Sequence, residues 1–200
     1  MRIIIACEFS GTVRRAFHDL GHDVLSCDLE PADDGSPYHY QGDIFELLSQ
    51  CGKMDMMIAH PPCTYLTVSA NKWFKDQPPR KSGALVGAER RAAREDAIDF
   101  FMRLYNYDIP KVAIENPIGC MSSRFRKPDQ VLQPWMFGHG ETKATCLWLR
   151  GLPKLTPTNI VEGREQKLHL LSPSQDRSKL RSITYQGIAD AMAAQWGNLS

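Results

Sequence analysis

No Cys-x-x-Cys pair occurs in this sequence. Its six cysteines (Cys7, Cys27, Cys51, Cys63, Cys120 and Cys146) are scattered along 200 residues, which excludes the usual zinc-ribbon and redox-motif spacings. No secretory signal accompanies them, so free thiols in a reducing cytosol are expected, with neither a disulfide frame nor a metal site. Long apolar runs are also missing. The longest, Ile3 to Cys7, is five residues, far short of a signal core or a membrane span. Nor is there an excess of charge of one sign: 24 Lys and Arg face 23 Asp and Glu, for a net charge of +1. Any nucleic-acid binding must therefore come from local patches. Internal repeats and low-complexity tracts are absent. What remains is an ordinary soluble composition, 42% hydrophobic and 24% charged, long enough to bury one core. A cytoplasmic location with no membrane partner is expected.

Short apolar strands alternate with helical stretches. "RIIIAC", "HDVLSCD", "MDMMIA", "KVAIEN" and "TKATCLWL" are predicted strands. "GTVRRAFHDLG" is a predicted helix with Thr12 as cap, Gly21 as stop and Val13, Ala16, Phe17 and Leu20 on one face. "GDIFELLSQ" gives a turn and short helix, residues 87–105 a longer helix, and "GIADAMAAQW" a closing one. This order predicts an α/β fold with a central, mostly parallel sheet flanked by helices. The Pro- and Lys-containing stretch 71–87 is expected to be a mobile loop.

In such folds ligands sit beyond the carboxyl ends of the strands. The strand ends here carry Glu8-Phe9-Ser10-Gly11, then Asp28, then His60 to Cys63, then Glu115-Asn116-Pro117. Four polar or reactive clusters on one sheet edge point to an active site. A strand, a turn at Gly11, a helix and then Asp28, 17 residues on, form a nucleoside-cofactor arrangement in which the carboxylate accepts from ribose hydroxyls. One glycine stands where a pyrophosphate-binding turn has three. A cofactor with ribose and base but no phosphates fits better, and S-adenosylmethionine is the common one. Asp43 in "QGDIF" is placed to accept from an adenine amine.

The other half supplies chemistry. Pro61 and Pro62 stiffen the backbone ahead of Cys63, whose thiolate is a nucleophile when accessible. Glu115 ends a buried strand, and burial is expected to raise its pKa so that it offers a proton to a ring nitrogen. His60 either orients this loop or the cofactor, or is satisfied by backbone. Residues 71–94 carry seven basic against two acidic side chains. Beside the proposed loop they are expected to contact phosphates, through Lys72, Arg90, Arg91 and Arg94.

"IIIACEFSGTVRRAF", "SCDLEP", "GDIF", "IAHPPCTYLTVS" and "VAIENPIG" together resemble the ordered motifs of cytosine carbon-5 DNA methyltransferases, in a short, phage-like form. The resemblance covers about residues 2–120 and continues loosely in "GETKATCLWL" and "RSITYQGIADAMAAQWG". It implies a class I S-adenosylmethionine-dependent methyltransferase (Rossmann-like) fold and attack of Cys63 on cytosine carbon 6. It further implies contact of Glu115 with ring nitrogen 3, Asn116 holding the loop, and Phe9 against the cofactor adenine. Lys143 stands where the family has an arginine-bearing strand. The expected cofactor contacts are thus Phe9, Ser10, Gly11, Asp28, Asp43 and Pro61, and the expected catalytic residues Cys63, Glu115, Asn116 and Lys143. Only about thirty residues separate "ETKATCLWL" from the terminal motif, so a single catalytic domain over 1–200 is expected, without a separate target-recognition domain.

DNA, duplex or single-stranded, is the expected partner. Three other readings stay open on the sequence. The same chemistry could act on RNA or free cytidine nucleotides. "HPPC" could be a variant of the amino-methyltransferase loop, although that chemistry has no use for Glu-Asn. A methyltransferase-like module could also bind nucleic acid or a partner without turnover.

Overall fold

Ile3, Ile4 and Ile5 are completely buried, because β1 (Arg2–Ala6) is covered on both faces of its sheet. Such strands read as continuous apolar runs. The structure, a computed structural model, describes residues 1–166 and 177–199. The expected domain over 1–200 also includes 167–176 and 200, which lie outside the described residues. After β1 come α1 (Thr12–His18), β2 (Asp23–Asp28), β3 (His39–Gln41), α2 (Ile44–Gln50) and β4 (Met56–Ala59). A 3-10 helix (Val68–Phe74), α3 (Gly87–Asn106), β5 (Lys111–Pro117), α4 (Met121–Arg124) and β6 (Gln130–Leu132) follow. The described chain closes with β7 (Thr145–Arg150), α5 (Arg177–Ser182) and α6 (Gln186–Trp196).

The strands form one seven-stranded sheet in the order β3-β2-β1-β4-β5-β7-β6. The first five in this order run parallel, and β7 is antiparallel to both β5 and β6. The expected mostly parallel α/β sheet is observed. Side chains alternate between its faces. Ile3 and Ile5 pack with Val13 and Phe17 of α1 and Ile188 and Met192 of α6. Ile4 and Ala6 face Leu48 of α2 and Phe101 and Leu104 of α3. Each fully buried large side chain contributes about 1.5–3 kcal/mol, so the two layers lock the sheet from both sides.

Three details differ from expectation. The three-residue strands β3 and β6 were not predicted, being too short to show alternation. They sit at the sheet's two edges. Helix α1 has no side-chain cap at its N-cap residue, Gly11. Instead the Glu8 carboxylate accepts from the amides of Val13 (2.6 Å) and Arg14 (3.2 Å). The first part of the stretch expected to be a mobile loop is the 3-10 helix, capped by Thr67. Among the described residues, no helix is long and apolar enough to cross a membrane.

Gly187 shows how tightly the C-terminal helix seats. A Cβ there would fall inside the Phe137 carbonyl oxygen, while the Gly187 amide donates to His139 Nε2 at 3.1 Å. Gly to Ala inside a helix ordinarily stabilises by about 0.5–1 kcal/mol. Here Gly187→Ala is expected to destabilise by about 1–3 kcal/mol through overpacking. Thermal denaturation reads the sign directly, and an unchanged or raised midpoint would contradict this packing.

Candidate active site

Strand β4 is fully buried and pairs in parallel with β5, Ala59 opposite Ile114. The next residues on each strand, His60 and Glu115, are therefore neighbours. His60 Nδ1 lies 3.0 Å from Glu115 Oε2, and the two side chains are only 7% and 13% exposed. One residue further on, the Asn116 amide donates to the Pro61 carbonyl at 2.8 Å. Pro61 is buried, while Pro62 and Cys63 are exposed. The chain then turns, the Cys63 carbonyl accepting from the amides of Leu66 and Thr67, both at 3.0 Å. The Cys120 amide donates to the Leu66 carbonyl at 2.8 Å. Gly119 lies so close to that carbonyl that a Cβ would overlap it. The Cys63 loop is thus tied to the end of β5 at both its start and its finish.

Because β7 runs antiparallel, its N-terminal side reaches the same edge, Thr145 opposite Pro117. This brings in Lys143, whose Nζ donates to the Ile183 carbonyl at 3.3 Å and faces the Tyr185 ring, 5.8 Å from its centroid.

The electrostatics correct one expectation. Desolvation does push the Glu115 carboxyl up, but the His60 hydrogen bond and charge, Lys143 and the Thr145 hydroxyl together hold it below the usual carboxylate value. A depressed carboxylate stabilises the fold above its ordinary pKa and loses that contribution as pH falls through the depressed value. The Cys63 thiol moves the other way. Although Cys63 is exposed, its place in the loop partly desolvates the thiolate and the Glu115 charge opposes it, raising the pKa against the weaker pull of Lys143 and Arg181. At rest the site holds a thiol beside an ionised acid.

Of the four residues expected to meet phosphates, two are turned inward. Arg90 is 4% exposed. Its guanidinium donates to the carbonyls of Thr64 (3.0 Å) and Leu85 (3.3 Å) and lies against the Tyr65 and Phe74 rings. Arg94, half-buried, donates to the Tyr65 carbonyl at 2.9 Å and to Asn71 at 3.1 Å. Both brace the residues that follow Cys63, so their phosphate role is corrected to a structural one. Arg91 is half exposed and pairs with Asp76 at 2.9 Å. Lys72 is exposed over Trp73.

On the cofactor side, a cavity of about 110 Å³ is lined by Cys7, Asp28, Leu29, Asp43, Pro62 and Phe100. Pro62 rather than the expected Pro61 reaches it. Desolvation raises the Asp28 pKa despite the Glu30 amide on Oδ1. Asp43 caps α2 with one oxygen, accepting from the amides of Phe45 and Glu46. Cys7 is the one non-glycine with positive φ among the described residues, at 58°. Such backbone strain concentrates at functional sites.

The expected contacts at the Gly11 turn are covered by the chain itself. Ser10 is buried, its hydroxyl 3.1 Å from that of Thr12. Gly11 (φ 67°) is crowded by Arg14 and Asp34, and Arg14 and Arg15 both pair with Asp34. The Ser10 hydroxyl is therefore engaged within the turn, which Gly11 allows. Phe9 lies under Lys179, 4.8 Å from the ring centroid, and Lys179 pairs with Asp33 at 2.6 Å. A larger hollow of about 870 Å³, lined among others by Lys53, Tyr107 and Arg150, lies away from these strand ends.

No family model and no curated protein matches the chain. Among solved structures, it is similar to an E. coli prophage protein described as a DNA modification methyltransferase, with 14% identity and a TM-score of 0.51 over 86% of this chain and 55% of that one. It also overlaps a mutant of Spodoptera frugiperda DNMT2 (13% identity, TM-score 0.47), covering 88% of this chain and 60% of that one. The Entamoeba histolytica methyltransferase EhMeth gives 12% identity and a TM-score of 0.48, over 87% of this chain and 60% of that one. The chain thus spans 55% to 60% of the lengths of these proteins. Its fold is that of the class I methyltransferases, as the resemblance implied.

If the Glu115 charge suppresses the thiolate, Glu115→Gln should lower the Cys63 pKa. Peptide-resolved iodoacetamide labelling against pH is expected to show the Cys63 midpoint at lower pH in the variant. A midpoint that stays put or rises would contradict the electrostatic coupling.

Proposed function

We propose that this chain transfers a methyl group from S-adenosylmethionine to carbon 5 of cytosine in DNA, duplex or single-stranded, through a covalent Cys63 adduct. The observation that carries this reading is the His60–Glu115 pair beside the Cys63 loop, with Asn116 tying loop to strand. A thiol nucleophile and a ring-binding carboxylate on adjacent strand ends suit addition across the carbon 5–carbon 6 bond. An exocyclic amine needs no thiol.

The cofactor half fits a nucleoside without phosphates. The Glu8 carboxylate already occupies the α1 amides at which a pyrophosphate would bind. Asp28 and Asp43 would hold the ribose and the adenine amine, with Pro62 and Phe100 beside them. When bound, S-adenosylmethionine supplies an electrophilic methyl group. Cys63 adds to carbon 6 and so makes carbon 5 nucleophilic. Glu115 contacts ring nitrogen 3, and the proton gained there spreads its charge, relieving the repulsion that holds Cys63 as a thiol. Asn116 and the Arg90–Arg94 brace keep the loop in place.

In a duplex the base must leave the stack, at a cost of a few kcal/mol. Residues 151–166 form no helix and no strand beyond isolated bridges, so that described stretch offers little surface to offset that cost. Modest sequence selectivity and preference for mismatched or single-stranded sites follow, with Arg91 and Lys72 meeting phosphates.

Replacing the carbon 5 hydrogen by fluorine blocks its loss, so the adduct should persist. With cofactor and 5-fluorocytosine DNA, the native protein is expected to form a denaturant-stable complex that Cys63→Ser does not. Calorimetry is expected to show Asp28→Ala binding cofactor at least about tenfold more weakly, a loss of one charge-assisted hydrogen bond or more. A native protein that neither traps nor binds cofactor would leave the binding-module reading. Trapping only with RNA or cytidine nucleotides would move the substrate class.

A further inference from the structure

Protonation of ring nitrogen 3 needs an acid, yet Glu115 is held as a carboxylate. Its Oε2 is 3.0 Å from His60 Nδ1, and both side chains are largely buried. Among the described residues, the other His60 ring nitrogen, Nε2, is buried and has no hydrogen-bond partner. A histidine kept only to orient a carboxylate would ordinarily have that nitrogen satisfied, because burying an unpaired polar group costs about 1–3 kcal/mol. Position 60 also lacks any backbone reason to be histidine. Its amide donates to the Ala6 carbonyl at 2.9 Å, which any residue except proline would do.

We propose that His60 is the proton reservoir of this site, supplying through Glu115 the proton that ring nitrogen 3 gains when Cys63 adds. The inference rests on the cytosine reading above. Cys63 first gives its thiol proton to solvent; as the thiolate electron pair then forms the sulfur–carbon 6 bond, nitrogen 3 takes a proton from Glu115, and Glu115 takes one from the His60 imidazolium Nδ1. His60 is left neutral, Glu115 is again a carboxylate, and the thiolate and imidazolium charges have cancelled. After methyl transfer the carbon 5 proton leaves to solvent, the thiolate is expelled as the carbon 5–carbon 6 double bond re-forms, and the proton on nitrogen 3 returns by the same path. His60 acts only through Glu115, so it is a positioning and proton-supplying residue.

The groups facing this pair are Cys63 on the following loop, Lys143 ahead of β7, Thr145 and Cys146 on β7, and Arg181 on α5. Burial, with the Glu115 charge as a second cause, pushes the Cys146 thiol up to about 11, which keeps it protonated and out of the exchange. The carboxylate needs one proton per turnover, and His60 is its direct hydrogen-bonded neighbour.

The test is the pH dependence of adduct formation with cofactor and 5-fluorocytosine DNA, in native protein and in His60→Asn. Asparagine keeps an N–H donor toward Glu115 but carries no exchangeable imidazolium proton. The native rate is expected to be bell-shaped, with a rising limb set by Cys63 and a falling limb that depends on His60. His60→Asn is expected to lose the falling limb and to react about a hundredfold more slowly at the native optimum, the lower end of general acid–base contributions. Iodoacetamide labelling of Cys63 in both proteins reports the thiolate separately and shows that the loop is intact. If His60→Asn keeps the falling limb, His60 only orients Glu115 and the proposal is overturned. Should that variant not fold, the native profile decides, and a rate that only rises with pH overturns it. A native protein that traps at no pH overturns the cytosine reading and this inference together.

Discussion

The parallel register of β4 and β5 is the constraint on which the site depends. Ala59 opposite Ile114 sets His60 beside Glu115 and Pro61 beside Asn116. A slip of one residue would send each of these side chains to the opposite face of the sheet. The register is fixed by burial: Met57, Ile58 and Ala59 on one strand and Val112, Ala113 and Ile114 on the other are all completely buried. The apolar core therefore positions the polar site, and the Asn116–Pro61 bond extends the register past the end of the sheet into the loop.

The two halves of the site are held by opposite electrostatic devices. On the cofactor side, Glu8 closes the helix terminus with an internal carboxylate, and Arg14, Arg15 and Asp34 lock the turn above Gly11. The turn is rigid and closed to phosphate. At the β4–β5 end, His60, Lys143 and Thr145 outweigh the burial of Glu115, and the resulting charge opposes ionisation of Cys63. Charge at one end is neutralised within the chain, and at the other it is left for a substrate to complete.

Much of this was legible in the sequence. The buried strands announce themselves as apolar runs, and polar and reactive residues follow them directly, so Cys63, Glu115 and Asn116 could be singled out as candidates by position alone. The two short edge strands could not. The arginines show why the rest was harder. A run of basic residues has a net charge, but the charge does not say which side chains point inward. Arg90 and Arg94 share the helical face of Ala97, Phe101 and Leu104, and that spacing was the available signal. The direction of the Glu115 shift was misjudged because burial was visible in "KVAIEN" while the opposing histidine lay 55 residues away in sequence.

The proposed chemistry has Cys63 and Glu115 act on the cytosine ring and not on its exocyclic amine, with His60 acting through Glu115. Nucleoside mass spectrometry tests this most directly. DNA incubated with the protein and methyl-labelled S-adenosylmethionine is digested and its nucleosides are separated. The label is expected in 5-methylcytosine, at levels that Cys63→Ser abolishes. Label in N4-methylcytosine, or 5-methylcytosine that persists in Cys63→Ser, would contradict it.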